Sequence, residues 1–111
     1  MENTIYFIFV FDEGLRARVL RDAGDMLAAE IRKLDEAIPS YPLKTEARDH
    51  MEGWRRATAY ALETLKTSGK IDTKPLGLIA EYRIQRLFQE AQRDQRLNDL
   101  ENEDEDNEED E

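Results

Sequence analysis

Few residues of this 111-residue sequence carry side chains that commonly do covalent or acid–base chemistry. It contains one histidine, His50, and no cysteine, which excludes metal sites built from several histidines and sites built on thiolates. A serine nucleophile needs a base within hydrogen-bond reach, but Ser40 and Ser68 lie at chain breaks, and no spacing relates them to His50. We therefore predict that the protein is not an enzyme and that it has no catalytic residue and no cofactor.

Two ligand-binding patterns are present only in part. Ser68-Gly69-Lys70 contains the Gly-Lys pair of a phosphate-binding loop, but it lacks the earlier glycine of that motif, and Ile71 stands where Ser or Thr belongs. The acidic C-terminal end offers carboxylates that suit calcium or magnesium, without the glycine-centred loop that fixes a coordination cage. The sequence therefore predicts no specific phosphate or metal site.

Charge is distributed unevenly along the chain. The formal net charge is −10, from 16 basic and 26 acidic residues, and residues 101–111 contain none of the bases. We call residues 101–111 the acidic segment; its acids are Glu101, Glu103, Asp104, Glu105, Asp106, Glu108, Glu109, Asp110 and Glu111. Because these charges repel one another and the segment has no apolar side chain to bury, we expect a disordered tail, with helix carried over no further than 101–105.

A dense polyanion imitates the charge of a nucleic-acid backbone, so the acidic segment is a candidate for binding a basic groove on another protein. Two alternatives stay open at this point. The segment could gate arginine-rich faces of its own body, or it could serve only to keep the protein in solution.

Arginines on two predicted helices suggest a second kind of partner. Arg48 and Arg55 share a face of one helix, and Arg83 and Arg86 lie on another. Arginines close to Trp54 or Tyr82 could hold phosphate and stack on bases. Acidic residues at pairing distance and a nearly neutral body favour ion-paired, solvated faces instead. A nucleic-acid-binding module restrained by its own acidic segment is therefore an alternative function.

The N-terminal segment is the most apolar part of the chain. The run from Ile5 to Phe11 predicts either a strand with two apolar faces or the first turns of a buried helix. As a strand it would place Phe7, Phe9 and Phe11 on one face and would need a partner in a second copy or in a target, because residues 69–72 are the only short strand candidate elsewhere. We name these phenylalanines and Trp54 as candidate partner-binding residues. The run is far shorter than the roughly 20 residues of a membrane span.

Three amphipathic helices are predicted, at 15–38, 45–67 and 75–100. Two prolines at 39 and 42 separate the first pair, Thr45 is a suitable N-cap, and Gly69 is a suitable stop. Pro75 suits the first turn of the third helix. The expected fold is mainly α: a small three-helix bundle over residues 1–100, with an N-terminal strand or fourth helical segment within 1–14, and the acidic segment as a tail.

Two families resemble parts of the chain. The acidic ending on a small helical body resembles phage anti-restriction proteins that mimic DNA, which implies a DNA-handling protein as the target. The pattern Arg48-x-x-Met51-x-Gly53-Trp54-Arg55-x-Ala57 is similar to a segment of ribosome modulation factor, which implies that Arg48 and Arg55 face RNA.

Independently of that likeness, a glycine in mid-helix costs about 1 kcal/mol relative to alanine, so Gly53 predicts a close approach by a neighbouring helix or a partner.

Together these features predict a cytoplasmic interaction protein that regulates or inhibits a nucleic-acid-handling protein. Its body would dock through apolar residues while the acidic segment occupies a basic groove. A basic nucleic-acid-binding protein is the expected partner, and no membrane is involved. A homodimer joined through the N-terminal segment is a further alternative.

Overall fold

A computed structural model describes the backbone of residues 5–74 and 76–109, and the side chains of these residues up to Glu101. Its helices are α1 (Glu13–Ala37), α2 (Glu46–Ser68) and α3 (Leu78–Glu109), and its strands are β1 (Ile5–Phe7) and β2 (Lys70–Asp72). Two short 3₁₀ helices, Ile8–Val10 and Ile38–Ser40, follow β1 and α1. The predicted three-helix bundle with an N-terminal strand is confirmed.

Helix α1 packs against both other helices. Its stripe of Val19, Ala23 and Leu27 is fully buried, because these residues recur every four positions and so share one face. Leu65 of α2 and Ile84 of α3 are buried in the same cluster. The described part of the chain therefore has one continuous apolar core.

The ends of α2 lie close to where the sequence placed them. The Thr45 hydroxyl accepts a hydrogen bond from the Arg48 backbone N–H at 3.3 Å, which satisfies one of the free donors of the first turn. Gly69 ends the helix in the left-handed region, at φ 69°, and its N–H donates to the Leu65 carbonyl at 2.9 Å. Both predicted helix ends are therefore confirmed.

The N-terminal segment finds its strand partner within its own chain. Strand β1 pairs antiparallel with β2, with Tyr6 opposite Ile71, and the Ile8 N–H donates to the Gly69 carbonyl at 3.0 Å. The expectation that this strand needs a second copy or a target is therefore wrong. The short candidate at 69–72 supplies the pairing instead.

Phe11 does not share an exposed face with Phe7 and Phe9. The 3₁₀ turn at Ile8–Val10 interrupts the alternation of the strand and puts Ile8 and Phe11, three residues apart, on the same inward side. Phe11 is 3% exposed, and its ring centroid lies 5.5 Å from that of Phe88. Its assignment as a partner-binding residue is therefore wrong.

Helix α3 is attached to the body along only part of its length. Ile84, Phe88 and Ala91 are buried against the core, Arg18 pairs with Asp94 at 2.7 Å, and the Gln95 side chain binds Asp12. From residue 96 to 101 every side chain is exposed. The helix therefore leaves the body after Gln95.

Both bounds of α3 differ from the sequence-based prediction. The helix begins at Leu78, later than the predicted 75; Pro75 itself lies outside the described residues. At the other end helical backbone continues to Glu109, beyond the predicted carry-over at 101–105. An existing helix gains one hydrogen bond for each residue that is added to it, and no new helix nucleus has to form. Glutamate is also a good helix former, so α3 can continue into the acidic segment.

Candidate interaction surfaces

The two predicted arginines of α2 are held by carboxylates of their own chain. Arg48 Nε lies 3.0 Å from Glu52 Oε1, and its Nη1 donates to the Tyr41 carbonyl at 3.1 Å. Arg55 donates to both carboxylate oxygens of Asp35, at 2.6 and 3.3 Å. These hydrogen bonds lower the pKa of Asp35 and raise that of Arg55. Two nitrogens of each guanidinium are thus already engaged, which leaves fewer donors for a phosphate.

Trp54 lies in an open groove of about 510 Å³ between α2 and the segment that leads into α3. The residues that line this Trp54 groove are Asp49, His50, Gly53, Trp54, Ala57, Leu76 and Gly77. A Cβ on Gly53 would meet no atom within 4 Å, so the groove is open directly above this glycine. The close neighbour that the sequence predicted at Gly53 is thus not part of the described chain.

The N-terminal segment exposes an apolar surface beside α1. We call Ile5, Phe7, Phe9 and Val10 the N-terminal patch; each is at least 47% exposed. The Arg16 guanidinium lies 5.4 Å from the centroid of the Phe9 ring and donates to the Phe11 carbonyl at 3.1 Å. This cation–π contact orients Phe9 while leaving it available to a partner.

A polar groove of about 450 Å³ runs along α3 on the side away from the core. The residues that line this arginine groove are Tyr82, Gln85, Arg86, Gln89, Glu90, Arg93 and Arg96, all from one helix. Arg86 approaches Glu90 only to 3.9 Å, and within the described residues Arg83, Arg93 and Arg96 have no ion-pair partner. These third-helix arginines are therefore more available than Arg48 and Arg55 of α2.

The acidic segment begins where α3 is already in solvent. Glu101 is exposed, and helical backbone continues through Glu109. The side chains of the other candidate acids lie outside the described residues: Glu103, Asp104, Glu105, Asp106, Glu108, Glu109, Asp110 and Glu111. Along a continuous helix, position 104 lies about 27 Å from Arg86, so the segment points away from the arginines of its own body.

The sequence located parts of these surfaces and missed others. It named Trp54 but not Leu76 and Gly77, which reach the Trp54 groove from a distant part of the chain. It named Phe7 and Phe9 but not Arg16, whose contact with Phe9 depends on the 3₁₀ turn. No local sequence pattern predicts that Leu76 and Gly77 lie beside Trp54 or that Arg16 contacts Phe9, because both contacts arise from tertiary packing.

The described residues contain neither a group of metal ligands nor a helix that could span a membrane. No three of their histidine, aspartate and glutamate side chains are grouped as a metal ion requires. None of the helices in this part of the chain has the length and hydropathy needed to cross a bilayer. Comparisons with protein-family models, with curated proteins and with solved structures found no match to the chain.

Proposed function

We propose that this protein is a non-enzymatic interaction protein that regulates or inhibits a basic, nucleic-acid-handling protein. In this proposal the acidic segment occupies a groove of the partner that otherwise binds nucleic acid. The observation that carries the proposal is the course of α3, which leaves the body after Gln95 and continues as a helix into the acidic segment. A continuous helix presents the acids at a distance from the body, where a groove can enclose them.

The electrostatics of this end of α3 favour a positive partner. The last free carbonyl groups of a helix carry a partial negative charge. The acidic residues in the sequence at this end of α3 add to that negative charge. Association with a basic groove releases bound counterions, so its affinity should fall steeply as salt increases. Long-range attraction should also speed the encounter.

Apolar contacts would supply the part of the affinity that does not depend on salt. The Trp54 groove offers a half-buried indole beside open space, and the N-terminal patch offers Phe7 and Phe9. Aromatic anchors of this kind dominate the binding energy of many interfaces. Two separated anchors would orient the body relative to the acidic segment.

The proposal is tested with a defined basic probe, a fluorescent lysine-rich polypeptide, by anisotropy across a range of salt concentrations. The matched variant changes every acid of residues 101–111 to its amide, which preserves length and side-chain size. We expect the natural chain to bind the probe with a steep salt dependence and the amide variant to bind at least about tenfold more weakly. Equal binding by the two chains would contradict the proposal.

The arginine groove supports a second candidate function, a nucleic-acid-binding module. Arg93 and Arg96 lack intramolecular ion pairs among the described residues, and Tyr82, 57% exposed, lies in the same groove as a stacking surface. A gel shift with duplex DNA and with single-stranded RNA separates the two candidates. If the protein is a nucleic-acid-binding module, removing residues 101–111 should increase its affinity for nucleic acid. If it is an inhibitor of a basic partner, neither the full chain nor the shortened chain should bind nucleic acid.

A further inference from the structure

The outer face of α3 carries a regular pattern that the proposed function does not use. The positions follow one another at alternating intervals of four and three residues: Arg86, Glu90, Arg93, Leu97, Leu100, Asp104 and Asn107. This spacing defines the seam along which two helices pair in a coiled coil. We call these positions the α3 seam.

The positions of the α3 seam whose side chains the structure describes, from Arg86 to Leu100, are all exposed. The core-facing residues Ile84, Phe88 and Ala91 lie on the opposite side of the helix, and the arginine groove opens along the seam. Leu97 and Leu100 are 52% and 55% exposed. Two leucines three positions apart on one exposed face, beyond the last attachment to the body, form an apolar contact without a partner in the described chain.

The sequence along the seam changes sign at these leucines. Arg86 and Arg93 precede them on the seam, with Glu90 between, and the acidic segment follows them. Two such helices laid side by side in opposite directions bring the basic half of one against the acidic half of the other. We propose that α3 pairs antiparallel with α3 of a second copy of this chain, with Leu97 opposite Leu100 of that copy.

This register is self-consistent along the whole seam. It aligns position 93 with position 104 and position 90 with position 107 of the second copy. Arginine thus meets acid in the first alignment, and Glu90 meets a neutral asparagine in the second. Each alignment occurs twice, because a two-fold interface uses the same surface of both copies.

A second copy is the occupant that the geometry favours. Positions 93 and 104 lie about 17 Å apart along one helix, which is beyond the reach of an ion pair within the chain. Parallel pairing would set arginine against arginine and acid against acid. Antiparallel pairing leaves each body at its own end of the paired helices, on the face away from the seam, so the bodies do not obstruct it.

The association should depend strongly on concentration and salt. Each chain contributes two leucines, and the remaining seam positions are charged or polar, so ion pairs at a solvent-exposed interface must contribute much of the attraction. The pairing covers the start of the acidic segment and therefore competes with any basic partner. The inference itself does not rest on the proposed function.

The test is sedimentation equilibrium of the full chain at low and at high salt, with three variants. Arg93→Glu replaces two attractions in the dimer by two repulsions and should weaken association at least about tenfold. The double variant Arg93→Glu/Asp104→Arg exchanges the charges and should restore association to near the natural level. Arg56→Glu makes the same charge change on α2, away from the seam, and should leave association unchanged. Circular dichroism verifies that every variant keeps its helix content.

The direction of pairing has its own test. The chain contains no cysteine, so Glu90→Cys and Asn107→Cys chains each carry a single thiol. An oxidised mixture of the two should form the mixed disulfide at low salt, while neither chain alone should crosslink efficiently, because equivalent positions lie about 26 Å apart in the antiparallel pair. A monomer at every concentration, no rescue by the charge exchange, or equal crosslinking of each chain with itself would overturn the proposal.

Discussion

Gly77 lies so close to Trp54 that a Cβ at position 77 would stand 2.8 Å from Cζ2 of the indole. Gly77 also accepts the first hydrogen bond of α3, from the Glu81 N–H at 2.9 Å, so its backbone is fixed by the helix. Neither a helix start nor a fused ring moves easily. The contact therefore sets the position of Trp54 in its groove.

Replacing Gly77 by alanine should displace the indole, because the new methyl group meets a rigid ring. The chain has one tryptophan, so its fluorescence reports on this ring alone. We expect a shifted emission maximum and a loss of stability of about 1–3 kcal/mol, as for other overpacked sites. Gly24→Ala is the control, because its Cβ would meet Leu62 Cδ1 at an ordinary 3.9 Å. An unchanged emission spectrum in Gly77→Ala would contradict the assigned contact.

Replacing Gly53 by alanine should separate folding stability from binding. The substitution removes a mid-helix glycine and meets no neighbouring atom, so the free energy of unfolding should rise by about 0.5–1 kcal/mol. It also places a methyl group in the Trp54 groove, which should weaken binding of Nile red, a neutral dye that fluoresces on apolar surfaces. Gly24→Ala should gain stability and should bind Nile red as strongly as the natural chain does. Loss of dye in both variants would show that the dye binds elsewhere.

Replacing Gly69 by alanine should disrupt the join between α2 and β2. The residue has φ 69°, which alanine adopts at a cost, and its Cβ would lie 2.8 Å from Cζ of Phe9. We expect a loss of about 1–3 kcal/mol in chemical denaturation. In a Phe9→Ala background the clash with the ring is removed, and the backbone strain and a tight contact with Ile8 Cγ1 at 3.2 Å are left. The same loss in both backgrounds would show that the ring does not contribute.

The ion pair between Asp35 and Arg55 should make a small acid-dependent contribution to stability. Hydrogen bonds from Arg55 lower the pKa of Asp35 in the folded protein, so the pair stabilises the fold above the unfolded-state pKa of Asp35. That contribution is lost as the pH falls through the lower, folded-state pKa. Both groups are exposed, so the effect on stability should be slight. Titration of the Asp35 carboxyl by NMR should show its pKa rise toward the ordinary value in Arg55→Gln, and an unchanged pKa would contradict the pairing.

Helix positions and ends were largely predictable because their determinants are local. The cap at Thr45 depends on one side chain and one backbone N–H three residues away, and the stop at Gly69 depends on one residue's backbone freedom. The buried stripe of α1 follows from the helical period alone. Such features need no knowledge of the rest of the chain.

The surfaces were less predictable because they combine distant segments. The direction of Phe11 depends on a 3₁₀ turn that one hydrogen bond, from the Ile8 N–H to the Gly69 carbonyl, stabilises, and the Trp54 groove depends on where Leu76 and Gly77 come to lie. The four-residue spacing of Arg48 and Glu52 already indicated that they pair, but periodicity could not tell that Arg55 would be engaged by Asp35 of α1. Pairing across elements is decided by tertiary packing.

Occupation of a basic groove by the acidic segment is measured directly by the displacement of nucleic acid from a basic partner. Fluorescent single-stranded DNA is bound to the lysine-rich polypeptide, and the natural chain or the chain with amides at every acid of residues 101–111 is added. We expect the natural chain to release the DNA and the amide variant to do so at least about tenfold less effectively. Equal release by both chains, or binding of the DNA by the protein itself, would contradict the proposed function.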